Sequence, residues 1–188
     1  MQGRPDGINQ TQKDISDAFW RLYTERPISK ISVKEVCALA GYNRGTFYRY
    51  YRDVYEVLEQ IEREILEQFE MRFNRIARCS SRLDLADLVK FTFAPCKVYN
   101  KYLVVMLGER GDPAFQKRLR ESTKAALRRE LEARRGPLGE ESEFYLEYCV
   151  SGLLSCTRMW YEKKSGMDIN DYISLILKIL SNPLGFLP

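Results

Sequence analysis

The sequence predicts an all-α protein. Three observations carry that prediction. Apolar residues recur at three- and four-residue spacing along most of the chain. No stretch alternates cleanly with period two and β-branched enrichment, as a half-buried strand would. Helix starts (Ser, Asp, Asn) and helix stops (Gly, Pro) punctuate the chain at helix-length intervals. With 188 residues, 45% hydrophobic and 30% charged, the chain can bury a real core. Its length fits one compact domain, or a small module joined to a larger one.

Residues 1–10, rich in Gly, Pro and polar side chains, predict a flexible tail. A first helix is expected from Thr11, whose hydroxyl can cap the first turn with Asp14 three residues on. Ile15, Ala18, Phe19, Leu22 and Tyr23 form its apolar stripe, and Pro27 stops it. Ser32 and Glu35 make a capping box for a second helix, with Val33, Val36, Cys37 and Ala40 inward. Gly41 can take the left-handed conformation that ends a helix, and Asn43 can cap a third beginning at Arg44. Two short helices joined this tightly, with glycine in the turn, predict a helix-turn-helix.

Asp53 caps a long fourth helix with the stripe Val54, Val57, Leu58, Ile61, Ile65, Phe69, Phe73 and Ile76. Its acidic residues Glu56, Glu59, Glu62 and Glu64 are expected to face solvent. Further helices are expected over 84–94, 97–107, 112–135 (opened by Asp112-Pro113), 140–164 and 168–181. That makes about nine in all. The domain reading is a tail over 1–10, a helix-turn-helix domain over 11–53 and a helical body over 54–188.

Composition narrows the chemistry. Histidine is absent, which excludes Ser-His and Cys-His catalysis, His-ligated metals and His-based switching near neutral pH. Cys37, Cys79, Cys96, Cys149 and Cys156 are odd in number and show no CxxC spacing, so neither a disulfide scaffold nor a zinc site is expected. Cys149 and Cys156 share one helical face and fit core positions. Reduced thiols point to the cytoplasm. No apolar run reaches the roughly 18 residues of a membrane span, and MQGRPDGINQTQKD lacks the apolar core of a secretory leader. No nucleotide loop or nucleophile motif is present. The expectation is a protein without enzyme activity, cofactor, metal or membrane attachment.

Charge is unevenly placed. Residues 1–52 hold nine Lys/Arg against five Asp/Glu, and residues 53–188 hold 21 of each, so the whole net charge of +4 lies in the first quarter. A basic head on a neutral body suits a polyanion. Within that head, residues 43–52 read Asn-Arg-Gly-Thr-Phe-Tyr-Arg-Tyr-Tyr-Arg. Phe47 and Tyr51, four apart, can both turn inward. Arg44, Thr46, Tyr48, Arg49 and Tyr50 are left outward. Arginine can bridge guanine O6 and N7, threonine can reach base edges, and tyrosine hydroxyls can donate to phosphate. Gly45 lets the backbone approach the sugar-phosphate chain. A helix of this kind fits only a major groove.

The run from Ile31 to Asp53 (ISVKEVCALAGYNRGTFYRYYRD) resembles the N-terminal DNA-binding domain of TetR/AcrR-family transcriptional regulators, over roughly residues 11–60. The Asn-Arg-Gly-Thr-Phe-Tyr form is most similar to the branch that includes activators of dihydroxyacetone kinase operons. The resemblance implies DNA contacts by Ser32, Lys34, Asn43, Arg44, Gly45, Thr46, Tyr48, Arg49, Tyr50 and Arg52, with Ser32 and Tyr48 on phosphates. Tyr50 stands where relatives often carry a phosphate-contacting His or Tyr. Val54 replaces a lysine that in relatives faces the DNA backbone, which implies either compensation by Arg52 or lower affinity for DNA.

For the body, the resemblance implies dimerisation and effector binding. Gly152, Leu153, Cys156, Trp160, Ile173, Ile176, Leu177 and Leu180 are apolar or small at helical spacing and are assigned to a homodimer interface. Phe91, Tyr99, Tyr102, Met106, Tyr145, Tyr148 and Met159 are assigned to a small-molecule pocket. The expected protein is a repressor that binds palindromic operator DNA as a dimer and is released by an unidentified small molecule. The alternative is a co-regulator or activator whose body binds a protein.

Overall fold

The computed structural model describes residues 10–79, 102–163 and 166–181. All its regular elements there are helical: α1 Gln10–Glu25, a 3-10 turn at Ile28–Lys30, α2 Val33–Ala40, α3 Arg44–Tyr48, α4 Val54–Cys79, α5 Pro113–Arg135, α6 Glu141–Glu162 and α7 Ile169–Ser181. Residues 102–106 are also helical. The helix expected over 84–94 and the start of the one over 97–107 lie outside the described residues, as do Phe91 and Tyr99. The described residues fall into two compact units, divided between Glu64 and Ile65.

In the first unit, α1 packs on α2 and α2 on α3. α1 begins at Gln10, one residue before the expected cap, so Thr11 lies within the first turn. Gln10 Nε2 donates to Asp14 there at 2.6 Å. The buried face of α1 is wider than its predicted stripe: Trp20 is buried and meets Tyr23 edge-on, with ring centroids 5.5 Å apart. The core is completed by Ile15, Phe19, Ile31, Val36, Cys37, Phe47 and Tyr51 with Val54, Val57, Leu58 and Ile61 from α4.

Caps fix the boundaries. Asp53 Oδ1 accepts from Tyr55 N and Glu56 N at 2.9 and 3.0 Å, which opens α4. Asp112 accepts from Ala114 N with Pro113 at the first position of α5. Asp168 accepts from Asn170 N and Asp171 N at 2.6 and 2.9 Å to open α7. The expectation of a solvent-facing acidic run on α4 is corrected at one position: Glu59 is exposed, but Glu62 is buried. Its place one residue after Ile61 and three before Ile65 puts it beside the apolar stripe, where composition alone gives no warning.

In the second unit, α5 packs on α6. Lys124 Nζ donates to Glu147 at 2.7 Å across that pair, and Arg128 pairs with Glu143. The hydrogen bond from Lys124 holds the Glu147 carboxyl below its usual range and raises the lysine. Thr157 and Tyr172 hydroxyls bond at 3.1 Å, tying α6 to α7, and Trp160 stacks on Tyr172 with centroids 4.9 Å apart.

Candidate nucleic-acid interface

The turn between α2 and α3 is three residues long. Ser32 Oγ accepts from Glu35 N at 3.3 Å while the Glu35 carboxylate accepts from Ser32 N at 3.0 Å, completing the predicted capping box. Ser32 Oγ also donates to Glu35 Oε2 at 2.7 Å, and Arg26 Nη2 donates to Oε1 at 2.8 Å. These bonds, those from Ser32 first, hold the Glu35 carboxyl down at about 2. Gly41 then ends α2 with φ 78°, a conformation that side-chain-bearing residues resist. Asn43 Oδ1 accepts from Thr46 N at 2.8 Å and opens α3. A Cβ at position 45 would come within 3.2 Å of that same oxygen, so glycine there leaves room for the capping amide.

The aromatic residues of the segment divide as predicted. Phe47 and Tyr51 are buried, with centroids 5.7 Å apart, and Tyr51 Oη lies 3.3 Å from Ser16 Oγ. Burial pushes the Tyr51 phenol up. Tyr42 Oη donates to Asp14 Oδ2 at 2.9 Å, a second tie to α1. Against this locked inner face, Arg44, Gly45, Tyr48 and Arg49 are exposed, with Thr46 and Tyr50 half-buried. Thr46 spends part of its hydrogen bonding internally: its hydroxyl donates to Asn43 Oδ1 at 3.2 Å.

Cations in this unit differ in their partners. Arg26 is paired with Glu35 at 2.8 Å. Arg52, though mostly exposed, has its backbone N–H and Nε on Glu56 at 2.6 and 3.4 Å. By contrast, Lys34, Arg44 and Arg49 are exposed and form no ion pair among the described residues. Val54 is buried, so the position is an apolar core site in this chain. Tyr55, which follows it, stands 51% exposed in the first turn of α4. Tyr55 is not among the sequence-predicted contacts; its place two residues after the Asp53 cap is the signal that marks it.

In the second unit, the described residues assigned to a pocket do not gather. Met106 is buried and Tyr102 half-buried, but Tyr145, Tyr148 and Met159 are exposed on α6. The cleft found there is lined instead by Leu107, Gln116, Arg120, Ser151, Leu154, Ser155 and Arg158. Of the residues assigned to a dimer face, Gly152 is exposed and Leu153, Cys156, Trp160, Ile173 and Leu177 are half-buried. Ile176 is 3% exposed within its own chain, so it belongs to that chain's core; the Leu180 side chain lies outside the description.

A short tight turn, a capped second helix and bare cations on its outer face define a helix-turn-helix DNA-binding protein. Residues 15–61 match the family model of the bacterial regulatory proteins, tetR family. That stretch is therefore similar to the DNA-binding domain of tetR-family bacterial regulatory proteins and covers about a quarter of this chain.

Solved structures extend the likeness over nearly the whole chain. The fatty acid degradation regulator FadR from Bacillus halodurans superposes with a TM-score of 0.73 at 18% identity, over 95% of this chain and 98% of that one. A TetR transcriptional regulator from Streptococcus agalactiae gives 0.65 at 19%, over 91% and 93%. The dihydroxyacetone kinase operon activator DhaS gives 0.64 at 18%, over 95% and 98%. At such identities these structures share the fold. One curated protein, ATP-dependent helicase wrn-1 of Caenorhabditis elegans, is 46% identical over 46 residues. That segment is 24% of this chain and 4% of the helicase, too little to carry an activity across. No helix among the described residues is long and apolar enough to cross a membrane.

Proposed function

We propose that the chain is a cytoplasmic repressor that binds palindromic operator DNA as a homodimer and is released by a small molecule. The observation that carries the DNA reading is the set of unpaired cations Lys34, Arg44 and Arg49 beside the exposed Tyr48, on helices whose inner faces are locked. Arg44, Thr46 and Arg49 read bases from the major groove. Ser32, Lys34, Tyr48 and Tyr50 hold phosphates, while Asn43 and Gly45 set the approach of α3. Arg52 contributes less than its charge suggests, since Glu56 shares it. Selection of bound duplexes from a random pool tests this reading. A two-fold symmetric consensus supports it, and retention no better than that of shuffled DNA overturns it.

The dimer reading rests on α6. Phe144, Tyr148, Gly152 and Met159 recur on one face and are all exposed, with Phe144 73% and Tyr148 72% accessible. A Cβ on Gly152 would meet nothing within 4 Å in its own subunit, so packing there gives no reason for glycine, whereas close approach of a second helix does. On this reading Tyr145, Tyr148 and Met159 serve the interface and not a pocket, with Leu153, Cys156, Trp160, Ile173 and Leu177 flanking it.

A second reading, an activator whose body binds a protein, draws on the same exposed aromatic stripe and on the structural likeness to DhaS, named as an operon activator. Sedimentation separates the two: a purified homodimer with the stripe covered favours the repressor reading, a stable monomer favours the protein-binding one.

A further inference from the structure

We infer that the cleft between α5 and α6 is a binding site for a short-chain carboxylate. It rests on the effector reading above for its regulatory meaning, but binding itself is independent of DNA. The cleft has a volume of about 170 Å³ and is walled by Leu107 and Leu154, with Arg120, Arg158, Gln116, Ser151 and Ser155 supplying polar groups. Most of those polar groups are already engaged. Gln116 Nε2 donates to the carbonyls of Met106 and Gly108 at 2.9 and 3.3 Å. Ser151 Oγ donates to Glu147 at 2.6 Å. Arg158 Nε donates to Glu162 at 2.7 Å, with Glu109 3.9 Å from Nη2.

Arg120 is different. Its Nε is shielded from solvent and makes no hydrogen bond. The nearest carboxylate oxygens, on Glu121 and Glu147, are 3.7 and 3.9 Å away, too far to accept from it. Glu147 is in any case neutralised by Lys124 at 2.7 Å. A buried guanidinium N–H without an acceptor is costly, and a planar carboxylate is the group that matches its fork. Ser155, exposed and without a hydrogen bond among the described residues, adds a hydroxyl donor on the facing helix.

Size and lining select among oxyanions. At about 170 Å³ the cleft admits a small molecule of a few non-hydrogen atoms, the size class to which butyrate belongs. That is well below the cavities of drug-sized ligands, which start at about 300 Å³. Two leucines suit an alkyl tail, which inorganic phosphate lacks. The occupant therefore bridges Arg120 on α5, Ser155 on α6 and Leu107 in the loop before α5.

The test is a calorimetric titration of the full chain with sodium butyrate and, separately, inorganic phosphate at matched ionic strength. Butyrate is expected to bind with a Kd on the order of 1 mM, and phosphate at least about tenfold more weakly. Arg120→Gln is expected to weaken butyrate about tenfold or more, while Arg129→Gln, an exposed arginine on the same helix outside the cleft, leaves it unchanged. Ser155→Ala, which keeps the Arg120 packing intact, is expected to weaken it several-fold. Undetectable butyrate binding overturns the inference, as do equal affinities for phosphate and butyrate, or full affinity in folded Arg120→Gln and Ser155→Ala. Operator binding measured without butyrate reports on the DNA reading alone, so either can fail without the other.

Discussion

Tyr48 projects a half-exposed phenol from α3 while its neighbour Phe47 is fully buried. Removing only its hydroxyl leaves the ring packing in place and deletes the donor proposed to hold phosphate. A hydrogen bond to a charged group contributes roughly 1.5 kcal/mol, so Tyr48→Phe is expected to weaken binding about tenfold on every operator sequence alike. Arg44→Ala is expected to redistribute sequence preference, because a base contact discriminates and a phosphate contact does not. Anisotropy titrations against a panel of operator variants check both; a Tyr48→Phe protein that binds like wild type removes the phosphate role. Glu35 offers a residue-scale test of the scaffold. Its carboxyl titrates at about 2 in the fold against an ordinary 4.5. A depressed carboxyl stabilises above its unfolded pKa, and that contribution fades as pH falls toward 2. The stability gap between wild type and Glu35→Gln is therefore expected to be full at pH 7 and to shrink between about pH 4.5 and pH 2. Urea midpoints across that range measure it, and a constant gap would refute the assignment.

The helix-turn-helix was legible in the sequence because local chemistry decides it. Ser32, Glu35, Gly41, Asn43 and Asp53 each act on backbone groups within a few residues, and each is found where its side chain predicts. What was not legible depends on contacts between distant residues. Glu62 is buried although its type and neighbours suggest a wet face, and Trp20 joins a core its own stripe does not include. Arg120 is set apart only because Glu147 is drawn to Lys124, a relation invisible along the chain. Tyr145, Tyr148 and Met159 look like pocket residues by type, yet the register of α6 turns them outward.

The same element allows its two roles to be separated. Ser32 both caps α2 and is proposed to hold phosphate. Ser32→Ala is expected to cost about 1 kcal/mol in stability and to weaken DNA binding. Ser32→Asp keeps a capping oxygen but sets a negative charge against phosphate. It is expected to retain near wild-type stability while binding DNA worse than Ser32→Ala. Thermal melts paired with gel shifts check this, and equal DNA affinity in the two variants would mean that Ser32 only caps. Gly41→Ala places a Cβ at φ 78° and is expected to cost about 1–2 kcal/mol with no effect on phosphate contacts in the folded fraction.

At the scale of the molecule, a single helix-turn-helix contacts too few base pairs to select a genomic site, so the proposed operator binding requires the pairing of two chains. The exposed stripe on α6 is the surface proposed for that pairing. A stripe of Phe144, Tyr148 and Met159 left in water is an association site or a liability, and Gly152 at its middle allows two helices to approach closely. Introducing carboxylates there, in Phe144→Glu with Tyr148→Glu, leaves the α5–α6 packing untouched because both side chains point outward. Sedimentation velocity is expected to show wild type at twice the 22.1 kDa chain mass and the double variant at the chain mass itself. Operator binding should fall with it by orders of magnitude, because the two half-site contacts no longer share one association cost. The slope of log affinity against log salt should also drop by about half, since each chain then neutralises only its own phosphates at roughly 0.9 per contact. A double variant that stays dimeric moves the interface elsewhere. One that becomes monomeric yet keeps both affinity and salt slope would mean that a single chain carries all the DNA contacts.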